Sequence, residues 1–369
     1  MITRRQFTAS APALVGAPAM LAGCSAGADH YEAAARRTWR RGPLQGLEGA
    51  ALSEELVRCA TLAPSSHNTQ CWRFTARHDA ITIAPDLSRR CPVVDPDDHH
   101  LFASLGCAAE NLVQAARAHG LQAEVAFDAA HDLLRVALAP ARAAASPLFH
   151  ALTQRQCTRG EYDAKPLSNE ELALLARAGS SERVRLLLLT ERAAMETVLE
   201  HVVRGNTAQI NHPAFVDELK AWIRFSGADA VRHADGLYGA SSGNPSVPSW
   251  LGQLLFGWFF TARNENDKIA RQVRSSAGIA VFVAHAADKS HWVEVGRCYE
   301  RFALQAAALD IRNAFVNQPV EVPAVRAQFA SFLGLGEQRP DLVVRFGRGP
   351  RLPVSLRRPV QDVLRFGDH

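Results

Sequence analysis

Neither a metal knuckle nor a dinucleotide loop is spelled out in this chain. Its seven cysteines, in 369 residues, form no Cys-x-x-Cys pair and no Cys/His cluster of zinc spacing, which removes zinc ribbons and dithiol redox motifs. No Gly-x-Gly-x-x-Gly follows a strand pattern, so a Rossmann cofactor site has no support. Charge of one sign is also scarce. The 41 Lys and Arg residues face 37 Asp and Glu, far from the basic excess of a nucleic-acid-binding domain. No uninterrupted apolar run approaches the twenty or so residues that a membrane helix needs. What remains is ordinary globular composition, 47% hydrophobic and 21% charged, in a chain long enough for about two domains.

Residues 1–23 read as an address. Thr3-Arg4-Arg5-Gln6-Phe7 looks like a twin-arginine export signal. The weakly apolar stretch Ala9–Gly23 that follows is interrupted by Pro12 and Pro18. Leu21-Ala22-Gly23-Cys24 resembles a lipoprotein processing site with Cys24 as the acylated residue. The expectation is a periplasmic or cell-envelope protein held to the membrane by acyl chains alone. The twin-arginine route carries folded proteins, so the other six cysteines, which fold in a reducing cytosol, are read as free thiols. Fourteen histidines are scattered, with His99-His100 the one adjacent pair. Neighbours in sequence do not share a helix or strand face, and no metal is expected.

A repeat organises the rest. Arg37-Thr38-Trp39-Arg40-Arg41-Gly42 returns at an offset of 118 as Arg155-Gln156-Cys157-Thr158-Arg159-Gly160. Each copy leads to a Ser-capped helix start, Leu52-Ser53-Glu54-Glu55 and Leu167-Ser168-Asn169-Glu170-Glu171. A helix over 101–119 aligns at an offset of 190 with one over 291–309, matching Gly106 to Gly296 and Glu110 to Glu300. Both are apolar on nearly every side, the pattern of buried helices, and their small residues permit close packing. Strands are predicted over 71–76, 80–84, 123–127 and 133–139, then over 183–190, 278–285, 313–317 and 341–347. The fold class is therefore α+β, one design made twice. Its parts are a linker with the first Arg motif (24–45), a first half (46–150) and a second half (151–369).

The unequal offsets place an insertion at about 203–274. It holds a Gly/Ser/Pro-rich piece and then the aromatic stretch Trp250–Phe260, expected either to form a lid or to extend the core as a helical hairpin. Gly239-Ala240-Ser241-Ser242-Gly243 matches a serine-hydrolase elbow, but Pro245 and Pro248 follow at once and deny the required helix.

The segment Ala63-Pro64-Ser65-Ser66-His67-Asn68-Thr69-Gln70-Cys71-Trp72 joins a helix end to a strand. It presents hydroxyls, amides and backbone N–H groups in a row, suited either to the edge of a flat heterocycle or to capping its own turn. The segment is similar to the Ala-Pro-Ser-x-x-Asn-x-Gln-Pro-Trp motif of the nitroreductase superfamily, with Cys71 in the place of the proline. Arg155-Gln156-Cys157-Thr158-Arg159 resembles that superfamily's Arg-x-Ser-x-Arg motif. Asn317-Gln318-Pro319-Val320-Glu321 resembles the loop beside its flavin ring, and Arg345, Arg357 and Arg358 its C-terminal basic segment. Fused halves, insertion and terminal Arg-Arg-Pro resemble the Acg-type branch in particular.

The resemblance implies a duplicated nitroreductase-like fold, an intramolecular pseudo-dimer with an inserted lid. It implies FMN, with Ser65, Ser66, Asn68 and Gln70 on the ring edge and Gln318, Pro319, Val320 and Glu321 beside it. Arg155, Cys157, Arg159, Arg357 and Arg358 would take the phosphate, as guanidinium forks suit a dianion. The implied activity is reduction of a small-molecule acceptor, with NAD(P)H, a quinol or a redox protein as donor and no catalytic side chain assigned. The alternative is a flavin-sequestering lipoprotein. The second copy of the ring edge reads Gly179-Ser180-Ser181-Glu182-Arg183-Val184-Arg185, without the amides. One flavin per monomeric chain is expected, with Arg37 and Arg41 in ion pairs or capping roles.

Overall fold

The computed structural model describes residues 29–367; the twin-arginine segment and Cys24 lie outside them. The described residues begin with a helix over 29–38 (α1) and α2 (Gly49–Thr61). The strands β1 (Trp72–Ala76) and β2 (Ala80–Pro85), helix α3 (His99–Ala118), and strands β3 (Leu121–Asp128) and β4 (Leu133–Pro140) follow. After the short α4 (Pro147–Ala151) come α5 (Asn169–Ala178), β5 (Val184–Leu189) and α6 (Arg192–Ile210). Next are α7 (Pro213–Trp222), the paired dipeptides β6 (Ile223–Arg224) and β7 (Leu237–Tyr238) with α8 (Gly227–His233) between them, α9 (Ser249–Phe259) and α10 (Ala262–Arg274). The chain closes with β8 (Gly278–Ala284), α11 (Lys289–Ala308), β9 (Arg312–Phe315), α12 (Gln318–Glu321), α13 (Pro323–Phe332), β10 (Pro340–Gly347) and β11 (Leu364–Phe366).

The larger sheet has the order β11-β1-β2-β4-β3 and the smaller the order β5-β8-β10-β9. Without β11 the two orders are equivalent, and every pair within them is antiparallel. In each, a helix enters the first strand, and a long buried helix follows the second. The starts of the entry helices differ: α2 begins before the expected cap, with Ser53 inside the helix and no side-chain bond from its N-cap Glu48. Ser168 caps α5 in a full capping box with Glu171, satisfying two orphan amides.

The long helices α3 and α11 cross at the centre, buried along most of their length. Two glycines set their separation. A Cβ on Gly106 would stand 2.0 Å from the carbonyl oxygen of Val293, and one on Gly296 would stand 1.8 Å from that of Ala103. The contact is reciprocal, residue for residue, as across a two-fold axis. Around it, side chains of both sheets and both helices form one continuous apolar cluster, while a second lies between β8, β10, α6 and α13.

Beyond β10 the chain runs back from the smaller sheet to the larger one, where β11 pairs in parallel with β1, Phe74 opposite Leu364. This strap carries Arg357 and Arg358. The six described cysteines are free thiols, five of them buried.

Neither Gly106 nor Gly296 can move aside, because what they meet is backbone. Gly106→Ala or Gly296→Ala is expected to force the helices apart and cost about 3 kcal/mol or more. Urea unfolding of each variant beside the parent measures it.

Candidate functional site

The insertion lies against the sandwich and leaves a cavity of about 340 Å³ between them, within the range of small-ligand sites. Its floor is the turn Pro64-Ser65-Ser66-His67, the α3 residues His100, Ser104 and Cys107, and the β9–α12 connection. Its roof comes from the insertion, with Phe215 and Leu219 of α7, Phe256 and Phe260, and Lys268 and Gln272 of α10. At Pro64, Ser65, Leu237 and Arg159 it meets a smaller cleft of about 40 Å³, lined further by Asn68, Arg155, Cys157, Ser241 and Arg357.

The turn owes its shape to strained backbone. His67, Asn68 and Gln70 all have positive φ, at 49°, 55° and 54°, an uncommon region for residues other than glycine. Hydrogen bonds hold them there. Gln70 donates its backbone N–H to Ser65 Oγ at 2.8 Å and its amide to the Ala234 carbonyl at 2.9 Å. Its Oε1 accepts from the backbone N–H of Arg358 at 2.8 Å. Asn68 donates to the carbonyls of Gly236 at 3.0 Å and Leu356 at 3.2 Å. The two amides therefore lash insertion and strap to the turn.

Their role thus differs from a ring-facing one. Gln70 is fully buried, outside both cavities, with its side chain spent on backbone partners. Asn68 keeps only its Oδ1, which has no partner and lines the small cleft. Ser65 and Ser66 do face the cavity, as do Gln318 and Glu321, while Pro319 and Val320 lie behind the wall in the core.

The arginines also divide. Arg155, Cys157, Arg159 and Arg357 converge on the small cleft. Arg358 does not; its guanidinium reaches the Asp362 carbonyl instead, on the strap's other side. Arg357 is buried over the C-terminal end of α2, donating to the carbonyls of Thr61, Leu62 and Ala63. Arg155 adds a bond to the Leu62 carbonyl at 2.8 Å and pairs with buried Glu300 at 3.1 Å. Helix-end carbonyls attract cations, which explains why two guanidinium groups collect there. The excess is still costly. Burial, then the adjacent Arg155, lowers Arg357 to about 9, and burial pushes the Glu300 carboxyl up to about 7 even beside Arg155. Arg159 brings a third guanidinium to the edge of both cavities. Two buried cations sharing one reluctant carboxylate leave a place for an anion. Arg37 and Arg41, by contrast, are solvent-exposed.

Of the other titratable wall, sequence reasoning anticipated Glu321 and missed His67, His100 and Lys268. His67, His100, Glu321 and Lys268 line the large cavity, brought together from α3, α10, α12 and the turn, where no linear spacing signals them. Both ring nitrogens of His100 lack a partner, with Glu321 Oε1 3.9 Å away. Burial lowers His100 and raises Glu321, so both lean neutral. Asp95, His99 and His100 also approach within metal-ligand range of one another, despite the sequential adjacency of the histidines. Asp95 spends its oxygens on the backbone N–H groups of His100 and Leu101, and His99 Nε2 is bonded to Asp341 at 2.9 Å.

A pH signature follows from His67, which burial, then Arg159, depresses to about 4 from an ordinary value near 6.5. The unfolded chain takes up that proton first. The stabilisation tied to the neutral ring is therefore complete above about 6.5 and is lost as pH falls towards 4. The stability gap between the parent and His67→Gln should shrink across that window, read by urea unfolding at pH 7.5 and pH 4.5.

No family model matches the chain. Two curated relatives do, each named "Putative NAD(P)H nitroreductase", from the CDC 1551 and H37Rv strains of Mycobacterium tuberculosis. Each is 25% identical over 329 residues, covering 84% of this chain and 90% of the relative. Among solved structures, a nitroreductase with bound FMN from Bacteroides fragilis is 14% identical, covering 56% of this chain and 89% of its own, with a TM-score of 0.34. The FMN-dependent nitroreductase of Mycobacterium smegmatis in complex with NADPH is 11% identical, covering 55% and 87%, with a TM-score of 0.37. Over most of its length, then, this chain is similar to proteins named as nitroreductases.

Proposed function

We propose that the protein is an FMN-dependent oxidoreductase of nitroreductase type, exported and held to the membrane by acyl chains on Cys24. The observation that carries the cofactor is the small cleft. Arg155, Arg159 and Arg357 meet there beside Ser241 Oγ, a buried hydroxyl without a partner. These groups fit a phosphate that accepts from guanidinium and hydroxyl donors. The adjoining cavity, with Ser65, Ser66 and the unpaired Gln318 Oε1 on its walls, fits a flat ring with polar edges.

FMN, when bound, supplies acceptance and delivery of hydride or single electrons. The chain's own residues do the rest. Arg155 and Arg159 hold the phosphate, while Arg357 keeps the helix end in place and adds positive potential. Ser65 and Ser66 orient the ring edge. Phe256 and Phe260 roof the cavity and exclude water, the task of a lid. His100 and Glu321 lie on the same wall, where burial favours the uncharged form of each and a proton can be held or passed.

The chain is read here as two nitroreductase-like halves fused into one pseudo-dimer of the Acg type. Equivalent strand orders and the reciprocal glycine contact support that reading. Only the first copy turns its paired serines, Ser65 and Ser66, to the cavity. In the other copy Ser181 bonds the Arg183 backbone, and Arg183 reaches Ser290 and His291. One FMN per chain is expected, and released flavin measured against protein checks it.

Arg159→Ala should lose most of the bound FMN, whereas Arg358→Ala should keep it. Two flavins per chain, or a flavin-free Arg358→Ala chain, would overturn the assignment. Turnover is tested on flavin-loaded protein by oxidation of NADPH, NADH or a quinol with an added acceptor; inactivity with all three leaves a flavin-holding role.

Anchoring is tested separately. A radioactive fatty acid should label the parent but not Cys24→Ala, and a Cys24→Ala chain that still labels would refute it.

A further inference from the structure

The helix α9 has two apolar faces. One belongs to the protein. Gly252 sits so close to Phe225 that a Cβ there would be 2.4 Å from the ring, and Phe256 and Phe260 stack at 4.6 Å above the cavity. The other face has no partner among the described residues. Trp250, Leu254 and Trp258 are 68%, 64% and 78% exposed, and neighbouring Phe259 is 64% exposed. Their spacing of four places the first three in one stripe along the helix. No charged residue occurs between Ser249 and Phe260. Large apolar side chains grouped in this way on a protein surface mark a contact with something else.

The position of the chain start says what that is. The first described helix packs directly on the insertion. Tyr31 of α1 lies 4.7 Å from Tyr238, ring to ring, and shares a small apolar cluster with Ala230, which Val231 joins. Ala230 belongs to α8, and Asp229 of that same helix accepts a hydrogen bond from Ser249, the first residue of α9. From α1 to α9 there is thus one continuous set of contacts. Cys24 precedes residue 29 by five residues, a reach of at most about 18 Å for extended chain. A lipid anchor on Cys24 would tether the molecule close to α1 and so bring this side within reach of the bilayer.

We propose that α9 is a membrane-docking helix whose Trp250–Leu254–Trp258 stripe lies in the interface of a phospholipid bilayer. Tryptophan favours that depth, with an apolar body for the acyl boundary and an N–H for the headgroups. Helices with one such face lie flat in the interface rather than crossing it. The opposite face of the same helix roofs the cavity, so docking brings the roof to the lipid boundary. The proposal rests on the anchoring reading only for the argument of proximity; the stripe itself is independent of acylation.

The test therefore uses the full chain with Cys24→Ala, so that no acyl chain contributes. It is mixed with phosphatidylcholine vesicles carrying brominated acyl chains, and tryptophan quenching and co-sedimentation are measured. Quenching by the vesicles is expected, and its loss in Trp250→Ser/Trp258→Ser, with partitioning weakened by about tenfold or more. Both residues are exposed, so unfolding midpoints should not change. No quenching and no sedimentation in the Cys24→Ala chain would overturn the proposal, whatever fatty-acid labelling shows for Cys24. A stripe buried without vesicles, in a dimer seen by analytical ultracentrifugation and lost in the double variant, would overturn it in favour of a second copy of the chain.

Discussion

At Gly106 and Gly296 two helices meet backbone to backbone, and that separation fixes most of what surrounds it. With no side chain between them, α3 and α11 approach until each glycine lies under a carbonyl of the other helix. The sheets pack outside this pair, so their spacing is inherited from it. The cavity is inherited too. Its floor includes Ala103, Ser104 and Cys107, the same stretch of α3 that touches α11. A binding site built on such a contact stands on rigid elements, and its geometry follows from packing in the core.

Much of the architecture was legible because its signals are local. Strand patterns, a capping box and all-round apolar helices each lie within a short window, and the observed ranges of β1 to β5 and β8 to β10 overlie the patterns that announced them. The offset between Gly106 and Gly296 was legible for a different reason, since a repeat compares the chain with itself. The site was legible only in part. Ser65, Arg155 and Arg159 reached the cavities, but Gln70 and Arg358 bonded each other instead. A motif names residue types; it does not say which backbone groups will claim them first. His100 and Glu321, which stand 221 positions apart in the sequence, meet on the wall of one cavity, which no spacing rule encodes.

Electrostatically, the small cleft and the large cavity are different solvents. The cleft concentrates fixed guanidinium charge over a helix end. In the cavity, burial works against charge, with His67 depressed and Glu321 raised. A ligand with a charged tail and an uncharged, polar-edged body would find each end matched.

The strap gives the molecule an order in time. Strand β1 emerges in synthesis long before its parallel neighbour β11, Leu364 pairing with Phe74 across 290 positions. Until then the edge of the larger sheet is open, and Gln70 lacks the Arg358 amide that it later binds. Closing so long a loop is slow, because chain entropy must be surrendered before any contact returns it. Until that strand arrives the mouth of the site is unfinished, and a ligand can enter before β11 ties the turn, the insertion and the arginines together.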